Sequence, residues 1–252
     1  MNANNIRIKP EWPQSKEEIW SKTFAGLKES PAANRQPYHI RVWQYAAAVL
    51  ILAVSFCSLY QVADEAAAGE QALVALPDHS SVRLNAGSRI TYRPFGWFLS
   101  RTLKLEGEGY FEVNKGRAFS VVSGKNKVKV LGTVFNVYSR DSKYRVTCIG
   151  GSVEVVSAGG SAILQPGMKA ICDGKEMRIA AGQAPEWMYG RLVFVETPLA
   201  EVIAEIERQY NIKVTTNAQL NHLYTGNFRQ TEQAETVLEI VGKPFGITFG
   251  IE

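Results

Sequence analysis

Residues 126–137 read NKVKVLGTVFNV, and upstream of them residues 101–113 read RTLKLEGEGYFEV. In each, apolar side chains return at every second position until a glycine interrupts them, the pattern of a strand with one buried face and a bend or bulge at the glycine. The same period runs through SVRLN (81–85), RITYR (89–93), FSVV (119–122), YRVTCIGG (144–151), SVEVVS (152–157), SAILQPG (161–167) and KAICDG (169–174). Gly, Asn, Asp and Ser punctuate these stretches, and no helical pattern breaks in between Leu73 and Ile179. An all-β roll, solenoid or sandwich follows, in preference to alternating α/β layers.

Towards the C-terminus the character changes after Trp187. RLVFVE (191–196) reads as a strand, and Thr197 and Pro198 open a helix over Leu199–Tyr210. Leu199, Val202, Ile203, Ile206 and Tyr210 make its apolar face. IKVTT (212–216) and YTGNFR (224–229) are strands, a second helix lies near Glu232–Val241, and GITFGI (246–251) is a last strand. Residues 187–252 thus form a small α+β domain of βαβ type, and residues 64–186 the β-rich body.

Towards the N-terminus, Val42 to Ala63 carries no charged residue, and Tyr45–Tyr60 reads YAAAVLILAVSFCSLY. Such a run spans a bilayer as a helix, with Trp43, Tyr45 and Tyr60 at the headgroup levels. Arg7, Lys9, Lys16, Lys22, Lys28, Arg35 and Arg41 precede it, whereas Asp64, Glu65 and Glu70 follow. The positive-inside rule places residues 1–41 in the cytosol and the rest beyond the membrane. Ala66–Ala68 resembles a signal-peptide cleavage site, but the polar segment before the span is too long for a signal peptide.

Within the cytosolic segment, SKEEIWSKTFAGLKES (15–30) pairs Ser15 with Glu18 as a capping box. Ile19, Trp20, Phe24 and Leu27 recur at helical spacing, an apolar stripe that one helix cannot bury alone. Two readings stand: a helix lying on the inner leaflet, or one that docks a cytosolic protein through Trp20 and Phe24.

The remaining composition excludes more than it suggests. A net charge of +4 with dispersed Lys and Arg argues against direct nucleic-acid binding. The three histidines, His39, His79 and His222, are far apart, so no catalytic triad, metal site or cofactor site is expected, and the chain reads as a non-enzyme. Glu106, Glu108 and Glu112 form an acidic group on one strand, read as a solvated face before a catalytic pair. Cys148 and Cys172 allow either a bridge or two buried thiols, the latter preferred.

The motifs along this pass resemble the FecR family of anti-sigma regulators, in the form with an added C-terminal domain found in Bacteroidetes-type bacteria. Leu76, Pro77, Asp78, Ser80, Val82, Leu84, Asn85 and Ala86 match its L-P-D-G-S-x-V-x-L-N-A opening, with His79 in place of glycine. Leu105, Gly107, Glu108, Tyr110, Phe111 and Val113 match L-x-G-E-A-Y-F-x-V, and Val130–Thr133 with Phe135–Val137 match V-L-G-T-x-F-N-V. Leu164, Pro166 and Gly167 match a later L-x-P-G turn, and Ala118 replaces a usual proline. Trp187, Gly190, Phe194, Thr197, Pro198, Leu199, Glu207, Arg208 and Tyr210 resemble the C-terminal domain, itself similar to the short domain of secretins and TonB-dependent receptors.

The resemblance implies a single-pass inner-membrane relay. A TonB-dependent outer-membrane transporter would contact the periplasmic part, and the cytosolic segment would govern an extracytoplasmic-function sigma factor through Ile19, Trp20, Phe24 and Leu27. It also implies self-cleavage between Gly132 and Thr133 in some members, over which the reading of LGTVFNV as a core strand with a bulge at Gly132 is preferred. From a different class, a periplasmic glycan- or peptidoglycan-binding scaffold would fit the β-rich body without any role in transcription.

Overall fold

A computed structural model describes residues 13–26 and 39–252, with side chains of the second segment from residue 42. The chain divides into two units, Met1–Ala53 and Val54–Glu252.

In the first unit, helix α1 (Lys16–Phe24) starts at Ser15, whose side chain accepts from the Glu18 amide at 3.3 Å, so the Ser15 half of the expected box is formed. Glu17 and Glu18 in the first turn and Lys22 in the last complement the helix dipole. The helix closes at Ala25, earlier than the stripe suggested, and Leu27 lies outside the described residues. Helix α2 (His39–Leu59) is the apolar run, 21 residues long, its stretch Val42–Leu59 uncovered by protein. The span expected to reach Ala63 stops at Leu59. Val62 and Ala63 open strand β1 instead, because their backbones pair with Tyr92 and Thr91; apolar composition alone could not separate the two.

The β-rich body begins with β1 (Val62–Ala66), β2 (Ala72–Ala75), β3 (Ser81–Leu84) and β4 (Ser88–Tyr92). Its centre is the long β5 (Arg101–Glu112). Then come β6 (Phe119–Ser123), β7 (Asn126–Val130), β8 (Val134–Arg140) and β9 (Lys143–Gly150), followed by β10 (Val153–Ser157), β11 (Gly160–Leu164), β12 (Met168–Asp173) and β13 (Glu176–Ala181). These 13 strands form a roll of two sheets that share β5. Its first half pairs with β4 and, in parallel, with β6; its second half pairs with β3 and β8. One sheet therefore runs β1-β4-β5-β6-β7-β10-β11 and the other β2-β3-β5-β8-β9-β12-β13.

Gly107 is where β5 passes from one sheet to the other. Its φ is +103°, and a Cβ there would lie 2.5 Å from Ser88 Oγ, so no other residue fits both the backbone and the space. Leu103 and Leu105 before the bend and Phe111 after it point into one core with Ile90, Phe119, Phe135 and Val146. Phe111 stacks on Phe135 at 4.9 Å and meets Phe119 of the other sheet edge-on at 6.4 Å, which ties the sheets together. His79 takes the left-handed φ of +62° that glycine would enter more easily. Cys148 and Cys172 are free, buried thiols; Cys148 pairs with Phe135 and Cys172 with Tyr144, out of register with each other.

The C-terminal module follows the expected order: β14 (Arg191–Pro198), α3 (Leu199–Tyr210), β15 (Val214–Thr215), β16 (Leu223–Arg229), α4 (Ala234–Gly242) and β17 (Gly250–Ile251). Its strands pair antiparallel as β14 with β16 and β15 with β17. Leu199, Val202, Ile203 and Ile206 of α3 close a second core with Leu192, Phe194, Tyr224, Phe228 and Val237. Asn211 ends α3 in the left-handed conformation, its amide returning to the Glu207 carbonyl.

Candidate functional site

Three places can carry function: the stripe on α1, the joint between roll and C-terminal module, and the Gly132–Thr133 bend. On α1, Ile19 and Phe24 are each 41% exposed and Trp20 66%. The rings of Trp20 and Phe24, one turn apart, lie 4.3 Å between centroids. They form a small aromatic knob on a helix that buries none of its own residues. Such a knob, rigid and desolvated at little entropic cost, is the chemistry of an interface anchor.

The joint is built on the outward face of the sheet that carries β3, β8 and β9. Alternation sends Val82, Phe111 and Phe135 inward and therefore turns Glu108, Asn136, Tyr138 and Arg145 outward. Outward here does not mean solvated. Glu108 is buried under α3, contrary to the solvated acidic face expected from sequence, because the module covers it. Its Oε2 accepts from Asn85 Nδ2 and its Oε1 from Asn136 Nδ2, both at 2.9 Å. Asn85 Oδ1 in turn accepts from Gln209 Nε2 at 2.8 Å, which also donates to Glu205 Oε1 at 2.7 Å. A continuous chain of polar contacts thus runs from β5 through Asn85, just after β3, to α3. Asn136 Oδ1, in the same cluster, is buried without a partner among the described residues.

Charges frame this chain. Glu201 on α3 receives Lys143 and Arg145, the latter at 2.6 Å. Arg140 donates to the carbonyls of Ala86 and Gly87 and to Ser88 Oγ, holding the turn after Asn85. Gly69 donates its amide to the Arg208 carbonyl at 2.7 Å, and Gln71 Nε2 to the Trp187 carbonyl at 3.3 Å. Burial raises the Glu108 carboxyl above its ordinary range, and the nearby Glu205 charge adds to that; the two asparagine donors and Arg140 pull the other way. Glu106, two residues earlier but in water, is lowered by its bond to Lys104. The same residue type on one strand face is therefore set in opposite directions by cover.

Gly132 and Thr133 sit just before β8, with a register shift between Val134 and Phe135. The irregularity lies not at this glycine but two residues on, where Ile149 of β9 is the extra residue between the Val134–Gly150 and Phe135–Cys148 pairs; Gly132 itself is in the connection from β7 to β8, where a Cβ would lie 2.6 Å from Lys115 Cα. The Thr133 hydroxyl donates to the Ser152 carbonyl at 2.9 Å. A cleft of about 610 Å³ opens beside the bend, and its charged lining is Lys115, Lys129 and Glu154.

Sequence alone placed the α1 stripe and the bend. It missed the joint, since Glu108, Asn85, Asn136 and Gln209 occupy positions that periodicity reads as outward. The one available signal was that Asn85 and Asn136 interrupt otherwise apolar strands near the same glutamate.

Two family descriptions match the chain: "FecR protein" over residues 64–154 and "FecR, C-terminal" over residues 191–252. Among solved structures, a candidate anti-sigma factor from Parabacteroides distasonis ATCC 8503 (crystal structure at 2.50 Å) is 30% identical, with a TM-score of 0.69 over 77% of this chain and 95% of that one. A second from the same organism, at 1.65 Å, is 28% identical, with a TM-score of 0.69 over 76% and 98%. No curated protein matches the sequence.

Proposed function

Since the chain belongs to the FecR family and is an anti-sigma regulator, we propose that α1 holds an extracytoplasmic-function sigma factor and that the C-terminal module receives the signal of a TonB-dependent outer-membrane transporter. The protein would stand in the inner membrane as a single-pass chain, N-terminus cytosolic and C-terminus periplasmic. The observation that carries this reading is the exposed Trp20–Phe24 pair on a capped helix that precedes an apolar span. A helix that leaves two contacting aromatic rings uncovered is built for a partner from outside its own fold. The basic residues before α2 and the acidic ones after it support the orientation.

On the receiving side, among the described residues β14 pairs with β16 alone, so one edge of each strand has no neighbour there in its sheet. A groove of about 500 Å³ beside β14 is lined by Tyr138, Lys169, Trp187, Val193 and Val195. An incoming strand could add there by main-chain hydrogen bonds, with alternate side chains in the groove.

Co-purification from solubilised membranes tests the output end. The full chain should carry a sigma factor with it and the Trp20→Ala chain should not; equal recovery from both removes α1 from the interface. A periplasm-dependent reporter should be active after Glu252 and silent before Arg41, and activity at both sites would refute the single-span topology. Deleting residues 191–252 should abolish response to the inducing ligand while the protein still enters the membrane.

A further inference from the structure

The segment Arg93–Ser100, RPFGWFLS, joins β4 to β5 and is unlike any other turn of the roll. Pro94–Gly96 forms a single 3-10 turn, and the amides of Leu99 and Ser100 both return to the Gly96 carbonyl at 3.0 Å. Trp97 is its root: 4% exposed, it meets Tyr92 and Phe119 edge-on at 5.5 and 5.8 Å. Arg117 braces the outer arm by donating to the carbonyls of Phe98 and Leu99. On this fixed base, Phe95, Phe98 and Leu99 stand 54%, 71% and 68% exposed. A turn so firmly tied could have buried them; it presents them instead.

What lies next to them is the end of α2. Tyr60, the residue after the helix, meets Phe95 at 5.6 Å, and Phe56 one turn back lies 6.4 Å from Tyr60. With the Gln61 amide oxygen turned towards it, the Arg93 guanidinium donates to Gln61 from Nε at 3.2 Å and Nη2 at 3.1 Å. A cleft of about 570 Å³ between the helix end and the loop is lined by Ser58, Gln61 and Leu99, and both charged residues in its lining, Arg93 and Lys104, are basic.

We propose that Arg93–Ser100 is a membrane-interface anchor: Phe95, Phe98 and Leu99 enter the boundary between headgroups and acyl chains where α2 leaves the bilayer. Arg93 then faces lipid phosphates, while Lys104 keeps its ion pair with Glu106. The occupant is a phospholipid surface because the patch adjoins the helix that spans one, because aromatic rings favour the interfacial layer, and because its charged rim is basic. This inference rests on the membrane reading of α2 above. It adds a second point of attachment, which fixes the tilt of the roll as a single helix cannot.

The test uses the full chain with Cys57→Ser in nanodiscs that contain anionic lipid, with or without bromine on the acyl chains near the headgroup. A fluorophore is placed by Phe98→Cys, by Leu50→Cys within α2, or by Glu235→Cys in the C-terminal module. Brominated lipid should quench the labels at 98 and 50 and leave that at 235 bright. Quenching at 50 with none at 98 overturns the anchor and leaves the span standing; no quenching at either overturns the membrane reading and the anchor with it. A label at Phe95→Cys should lose its quenching when Phe98→Glu and Leu99→Glu are combined, exposed changes that leave Trp97 and the core intact. Persistent quenching there would also overturn the proposal.

Discussion

Two helices of this protein carry the same kind of apolar stripe and meet opposite fates. In α3, Leu199, Val202 and Ile206 are fully buried against β14, β16 and α4. In α1, Ile19, Trp20 and Phe24 stay exposed. Helical periodicity says only that a face needs cover; whether the chain supplies it depends on the elements that flank it. Around α3 these are β14 before it and β16 and α4 after it, and among the described residues nothing comparable covers α1. One stripe therefore stabilises the fold, and the other is available for binding.

The comparison breaks first at α3. Ile206→Ala leaves a cavity in the second core and should cost about 2–5 kcal/mol, read as a fall in the urea midpoint of residues 64–252. Less than that would mean the module does not rely on this face. Trp20→Ala should lower sigma-factor affinity by about 2 kcal/mol, roughly 30-fold, while unfolding stays within about 0.5 kcal/mol of the parent. A stability loss as large as that of Ile206→Ala would mean that Trp20 is covered by its own chain.

A smaller effect sharpens the comparison on the other side of α3, where the helix meets Glu108. Because that carboxyl is raised above its ordinary 4.5, its contribution to the joint is fully present below that pH and is lost as pH rises through the folded value. Glu201 acts in the opposite sense: lowered by Lys143 and Arg145, it contributes above its ordinary value and loses that contribution as pH falls. Glu108→Gln should flatten the loss that sets in as pH rises, and a pH-stability profile unchanged from the parent would remove Glu108 from the account. Smallest of all, Glu154→Ala breaks only an exposed pair with Lys129 at 3.5 Å and should change stability by less than about 0.5 kcal/mol.

Much of the fold could be read from sequence because one face of each strand is apolar and the period is unambiguous. NKVKV became β7 and VFNV entered β8, with the glycine between them at the bend. The helix–strand boundary at Leu59 was not legible, since Tyr60 to Ala63 suits either state until a partner strand settles it. The joint was hidden for a related reason. Alternation assigns Glu108 to the outer face correctly, but burial of that face depends on α3, almost a hundred residues later in the chain, and a local pattern holds no record of so distant a neighbour.

Sharing β5 has a mechanical consequence. The C-terminal module sits on one sheet, while the strand that continues from α2 belongs to the other, and both are hydrogen-bonded to the same strand on either side of Gly107. Sliding either sheet by one residue would turn Leu105 or Phe111 out of the core, so neither can shear independently. A push on the module would then pass through the roll as through a stiff body, with the bend in β5 as its elbow.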